Sequence, residues 1–151
     1  MKIYLAGPLF SAAEQLWLRE TKGEIEGLAR HLNREVEVIW PYELISEEEL
    51  RAAGGQAKFE VFSRCLSHLK GADMLLALLD GSQVDDGTAW EIGYFYAIRP
   101  EGSPIIGIRT DFRNAGDTPS SKVNAMIEAS CDRIVTSSQE LYSIVSELLK
   151  P

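Results

Sequence analysis

Six consecutive apolar residues, Met74-Leu-Leu-Ala-Leu-Leu79, place the tightest limit on how this chain folds. A strand with one solvated face alternates apolar and polar residues. One without alternation is covered on both faces, as in the centre of a parallel sheet. Parallel neighbours need crossover connections, normally helices, and the flanking segments provide them. Lys2-Ile-Tyr4-Leu-Ala6 is rich in β-formers and stops at Gly7-Pro8. Ser11, with Glu14 three residues on, caps a helix with an apolar stripe at Ala13, Trp17, Ile25, Leu28 and Leu32. Glu35 to Trp40 reads as a second strand, ended by Pro41. Residues 42–56, with Ser46-Glu-Glu-Glu49 and Gly54-Gly55, form either a flap over a site or a solvated connection. A helix over 57–70 turns Phe59, Phe62, Cys65, Leu66 and Leu69 inward and stops at Gly71.

Beyond the apolar run, a helix opens at Thr88 and ends before Pro100, and Pro104 to Ile108 is a fourth strand. The polar loop 109–118 leaves Arg109 and Arg113 solvated. Pro119 starts a helix running to Ala129. Arg133 to Thr136 is a fifth strand, and Ser138 caps a last helix with Leu141, Ile144, Val145, Leu148 and Leu149 along one face. Five strand–helix alternations over residues 1–151 predict one α/β domain: a flavodoxin-like three-layer sandwich with a five-stranded parallel sheet of order 2-1-3-4-5.

In such a sheet, ligands bind beyond the carboxyl ends of the strands where the order reverses, here between strands 1 and 3. The loops Gly7-Pro8-Leu9-Phe10 and Asp80 to Glu91 meet there. Thr88-x-x-Glu91 has the form of a capping box, so Glu91 caps the helix, attacks substrate, or does both. The helix N-terminus is expected to keep Glu91 ionised, and a neighbouring Asp85 to hold a proton. Asp80 and Asp86 read as turn residues. Paired carboxylates beside Tyr4, Leu9 and Phe10 suit glycosidic chemistry, with one acid as nucleophile and another as proton donor.

Fifteen basic against 23 acidic residues give a net charge of −8, which disfavours a nucleic-acid or anionic membrane partner. Two cysteines and two histidines without ligand spacing predict no metal site and a reducing compartment. No Walker loop, Gly-x-Gly-x-x-Gly, secretion leader or membrane-length apolar run is present. A cytoplasmic protein without a cofactor is the expectation.

Tyr4-Leu-Ala6-Gly7-Pro8-Leu9-Phe10, Asp85-x-Gly87-Thr88-x-x-Glu91-x-Gly93-Tyr94 and Asn124-x-Met126 resemble the nucleoside 2-deoxyribosyltransferase family over about residues 3–130. The resemblance implies deoxynucleoside and nucleobase substrates, Glu91 as nucleophile at C1′, and Asp85 as the acid facing the base. It implies that Tyr4 orients Glu91, that Gly7, Leu9, Phe10, Gly87 and Met126 bind substrate, and that Asn124 is donated to a neighbouring subunit's site in a homo-oligomer. A related branch hydrolyses deoxynucleoside monophosphates, but it carries serine and arginine in the first loop, where this chain has Pro8-Leu9-Phe10-Ser11. Cys65 stands where the family often has aspartate, and the family's C-terminal tail has no match here. Hydrolysis by the same glutamate and a non-catalytic nucleoside- or nucleotide-sensing module are the alternatives.

Overall fold

A computed structural model, which describes residues 1–150, contains the expected sheet. The order of elements is β1 (Lys2–Ala6), α1 (Ala12–His31), β2 (Glu37–Ile39), α2 (Glu47–Ala53), α3 (Ala57–Lys70), β3 (Met74–Leu78), α4 (Asp86–Ile98), β4 (Ile105–Ile108), α5 (Ala125–Ser130), β5 (Arg133–Val135) and α6 (Ser138–Leu148). The strands lie in the order β2-β1-β3-β4-β5 and every pairing is parallel. The register sets Tyr4 between Ile39 on β2 and Leu75 on β3.

Side-chain alternation along β1 divides the core into two layers. Ile3 and Leu5 pack with Leu18, Ile25, Leu141, Ile144 and Val145 of α1 and α6. Tyr4 and Ala6 face the opposite way, into the layer holding Leu69 of α3 and Ile92 and Phe95 of α4. Each fully buried leucine or isoleucine in these layers stabilises the fold by roughly 1.5–3 kcal/mol. β3 is buried at every position, as its unbroken apolar run requires. The parity of β1 therefore aims the one polar group of Tyr4 at α4.

Several local expectations are corrected. Of the stripe expected on α1, Ile25 is buried and Trp17 and Leu32 pack against the core, whereas Ala13 is exposed and Leu18, Thr21 and Ala29 complete the buried face. In α3 only Leu69 is fully buried, whereas Phe59 and Phe62 are 57% and 50% exposed. No helix starts at Pro119. Glu128 accepts from the Lys122 and Val123 amides at 2.7 and 3.3 Å, and Asn124 caps a six-residue helix through the Met126 amide at 3.0 Å. These side chains take the amides that a longer helix would need. Ser137, rather than Ser138, caps α6. No helix among the described residues is long and apolar enough to cross a membrane.

Candidate active site

The Tyr4 hydroxyl donates a 2.6 Å hydrogen bond to Glu91 Oε1 across the β1–β3 switch point. Tyr4 is fully buried at the centre of β1. Glu91 is the sixth residue of α4 and lies on the face carrying Thr88, Ile92 and Phe95, which is the face turned to the sheet. Burial pushes the Glu91 carboxyl up to about 7; the Tyr4 hydrogen bond pulls it down, and the Asp85 charge adds to the rise. Burial and the adjacent carboxylate also drive the Tyr4 hydroxyl far above its ordinary value, so it stays a hydrogen-bond donor.

The start of α4 differs from the sequence expectation. Asp85 is the N-cap, and its Oδ2 accepts from the Thr88 amide at 2.9 Å and from the Thr88 hydroxyl at 3.0 Å. Thr88 is thus inside the helix and Glu91 belongs to its second turn, so they form no capping box. The field of a helix terminus falls off within one turn. Burial outweighs it, and Glu91 is raised instead of being held ionised. Gly87 completes this corner, because a Cβ there would lie 3.2 Å from Asp85 Oδ2.

A cavity of about 550 Å³ opens over Glu91. It brings together Gly7, Leu9, Phe10, Asp85, Gly87 and Glu91, all expected at the site. Gly7 permits the close approach of the first loop, since a Cβ would meet Leu18 Cδ2 at 2.9 Å. Gln15 Nε2 fixes the same loop by donating to the Leu9 carbonyl at 2.7 Å. Asn124 and Met126 do not line the cavity of their own chain; Asn124 holds Asp117 at 3.1 Å, and Met126 is 77% exposed.

Residues 42–56 answer the choice between flap and connection, because Tyr42, Ile45, Ser46, Glu47 and Leu50 form a wall of the cavity. Arg64 ties this wall to α3 by donating to the Leu44 carbonyl at 2.8 Å and to Glu49 Oε1 at 2.9 Å. The sequence allowed a flap over a site here but singled out none of these side chains. The available signal was Pro41, a breaker at the carboxyl end of the strand beside β1, which puts the following loop next to the switch point. Cys65 also lines the cavity and lies beside Tyr4, and burial pushes its thiol up.

Arg109 is not solvated. It is 2% exposed and donates to the carbonyls of Gly81 at 3.0 Å and Arg113 at 2.9 Å, as well as to that of Leu79. Asp80 accepts from the Thr110 amide at 2.6 Å and the Asp111 amide at 3.0 Å, so it joins two loops instead of making a turn.

Comparison with known proteins adds a family and a fold. The family model described as nucleoside 2-deoxyribosyltransferase matches residues 3–126. A conserved protein from Enterococcus faecalis V583 superposes with a TM-score of 0.71 at 24% identity, covering 98% of both chains. A 2-deoxyribosyltransferase from Bacillus psychrosaccharolyticus gives 0.66 at 24% identity, covering 99% of this chain and 96% of that one. A 2-deoxyribosyltransferase from Leishmania mexicana gives 0.68 at 19% identity, covering 97% of each chain. At these identities the superpositions speak for the flavodoxin-like fold.

Proposed function

The chain belongs to the nucleoside 2-deoxyribosyltransferase family, and from that premise we propose that it moves 2-deoxyribose between nucleobases through an ester on Glu91. The observation that carries this reading is the 2.6 Å Tyr4–Glu91 pair, buried at the switch point, of which Glu91 lines the cavity. A Glu91 carboxylate oxygen bonds to C1′ as the C1′–N bond breaks, and the departing base takes that electron pair and a proton. A nitrogen of a second base then attacks C1′, loses its proton, and expels the carboxylate. Two inversions give retention.

Tyr4 orients the attacking group and favours its ionised form. Asp85 faces the base as proton donor: Oδ2 carries the two Thr88 bonds, while Oδ1 accepts none among the described residues. The cavity is lined by three carboxylates, Glu47, Asp85 and Glu91, and by no lysine or arginine among the described residues. That field opposes a phosphorylated ligand and suits an uncharged nucleoside. Asn124, which does not line its own cavity, is assigned to a neighbouring subunit's site, as the family resemblance implies, and the reading therefore includes a homo-oligomer.

Incubation with deoxyinosine, with and without adenine, tests the reaction. Deoxyadenosine forming only when adenine is present is the expected result. Hypoxanthine and free deoxyribose accumulating without any deoxyadenosine would show hydrolysis, and an inert protein would point to a sensing module.

A further inference from the structure

Two rings stand in the cavity wall, Phe10 and Tyr42. Phe10 is 84% exposed and takes part in no aromatic pair among the described residues. Tyr42 is fixed from behind. Its ring stacks on Trp40 with centroids 4.8 Å apart and planes at 23°. Trp40 is 1% exposed, and the Arg19 guanidinium lies 5.9 Å from its ring centroid.

The backbone turn that carries Tyr42 is equally constrained. Pro41 fixes its own φ, the Glu43 amide donates to the Trp40 carbonyl at 3.0 Å, and the Leu44 amide donates to Pro41 at 3.1 Å. Lys22 Nζ pins the turn to β2 by donating to Glu43 Oε2 at 2.6 Å and to the Val38 carbonyl at 3.1 Å. Tyr42 nevertheless remains 44% exposed on the wall that it shares with Glu91. A ring held on one side and open on the other is a preorganised stacking platform: little side-chain freedom is left to lose when a planar ligand arrives.

We propose that Tyr42 selects the nucleobase, with Trp40 supporting one face of its ring and the base stacking on the other. The larger π-surface of a purine then binds more tightly than a pyrimidine. The inference rests on the deoxyribosyl-transfer reading for the class of ligand, whereas the platform itself is independent of catalysis.

Calorimetric titration of wild type, Tyr42→Phe and Tyr42→Leu with free adenine and free thymine tests it without a donor and hence without turnover. Tyr42→Phe should bind adenine within about twofold of wild type, because the ring is kept. Tyr42→Leu should bind adenine about tenfold or more weakly, the usual loss for one base–aromatic stack, and thymine should lose less. Thermal melts establish that both variants are folded. Unchanged adenine binding by folded Tyr42→Leu would overturn the proposal. So would equal weakening in both variants, which would assign the effect to the hydroxyl, and so would a wild-type protein that binds no adenine. If wild type transfers deoxyribose while Tyr42→Leu binds adenine normally, only the platform fails. Adenine binding that depends on Tyr42 in a protein with no transfer activity would retain the platform and reject the catalytic reading.

Discussion

Neighbouring strand ends of the same sheet hold carboxylates in opposite ways. Beyond β3 and β4, Asp80 accepts from the Thr110 and Asp111 amides, and Asp111 is clasped by Arg113 Nε at 2.9 and 3.0 Å. The Arg113 guanidinium holds the Asp111 carboxyl well below the usual carboxylate range. On α4, against β1, Glu91 faces one neutral hydroxyl and no cation, so burial raises it to about 7. The first arrangement secures two loops. The second leaves a destabilised carboxylate beside an open cavity, which is what a nucleophile working near neutral pH requires. Under the proposed reaction, the pattern of charge compensation, not the number of acids, separates the bracing carboxylates from the attacking one.

Substitutions that exchange activity for stability probe this contrast. Glu91→Gln should lower deoxyribosyl transfer by about a thousandfold or more, since it removes the attacking oxygen anion. The same substitution should stabilise the protein at alkaline pH. The carboxyl is raised from 4.5 to about 7 in the folded state, so the folded protein holds an extra proton between those values and wild-type stability falls as pH rises through them. Glu91→Gln escapes that loss, so its advantage in urea melts should be nil below about pH 4.5 and at most ~3 kcal/mol above pH 7.

Arg109→Met should do the reverse. It strips the donors from the Leu79 and Gly81 carbonyls, and stability should fall by about 3 kcal/mol. Transfer per folded molecule should change by less than about threefold, measured at a temperature below the lowered melting point. A large catalytic loss in this variant would make the brace part of the site.

Tyr4→Phe should have a smaller effect, on position and on pH. Removing the hydroxyl withdraws the interaction that favours the ionised glutamate, so the ascending limb of kcat/KM against pH should move to a higher midpoint, by about one unit. A rate reduction without any movement of that midpoint would confine Tyr4 to packing.

Much of the site was legible from periodicity and topology. The unbroken run of β3 required a parallel sheet, the sheet order located the switch point, and the family resemblance paired Tyr4 with Glu91. The start of α4 was harder to read. The expected cap was Thr88, whereas the helix starts three residues earlier, with Asp85 accepting from the Thr88 amide. Phe59 and Phe62 follow helical spacing but mark a face that the chain leaves exposed, since periodicity reports amphipathicity and not which stripe is covered. Tyr42 sits in a three-residue 3-10 turn, too short for any period. Arg109 looked like an ordinary loop charge because its partners are backbone carbonyls, which no side-chain pattern reveals.

The proposed transfer requires a covalent bond between the Glu91 carboxylate and deoxyribose. A 2′-fluoro-substituted deoxynucleoside slows release of the sugar, and peptide mass spectrometry after brief incubation locates whatever remains attached. One fluorinated sugar per active chain, on the peptide containing Glu91 and absent from Glu91→Gln, is the expected result. Release of the base with that peptide unmodified, or a sugar attached to a different residue, would contradict it.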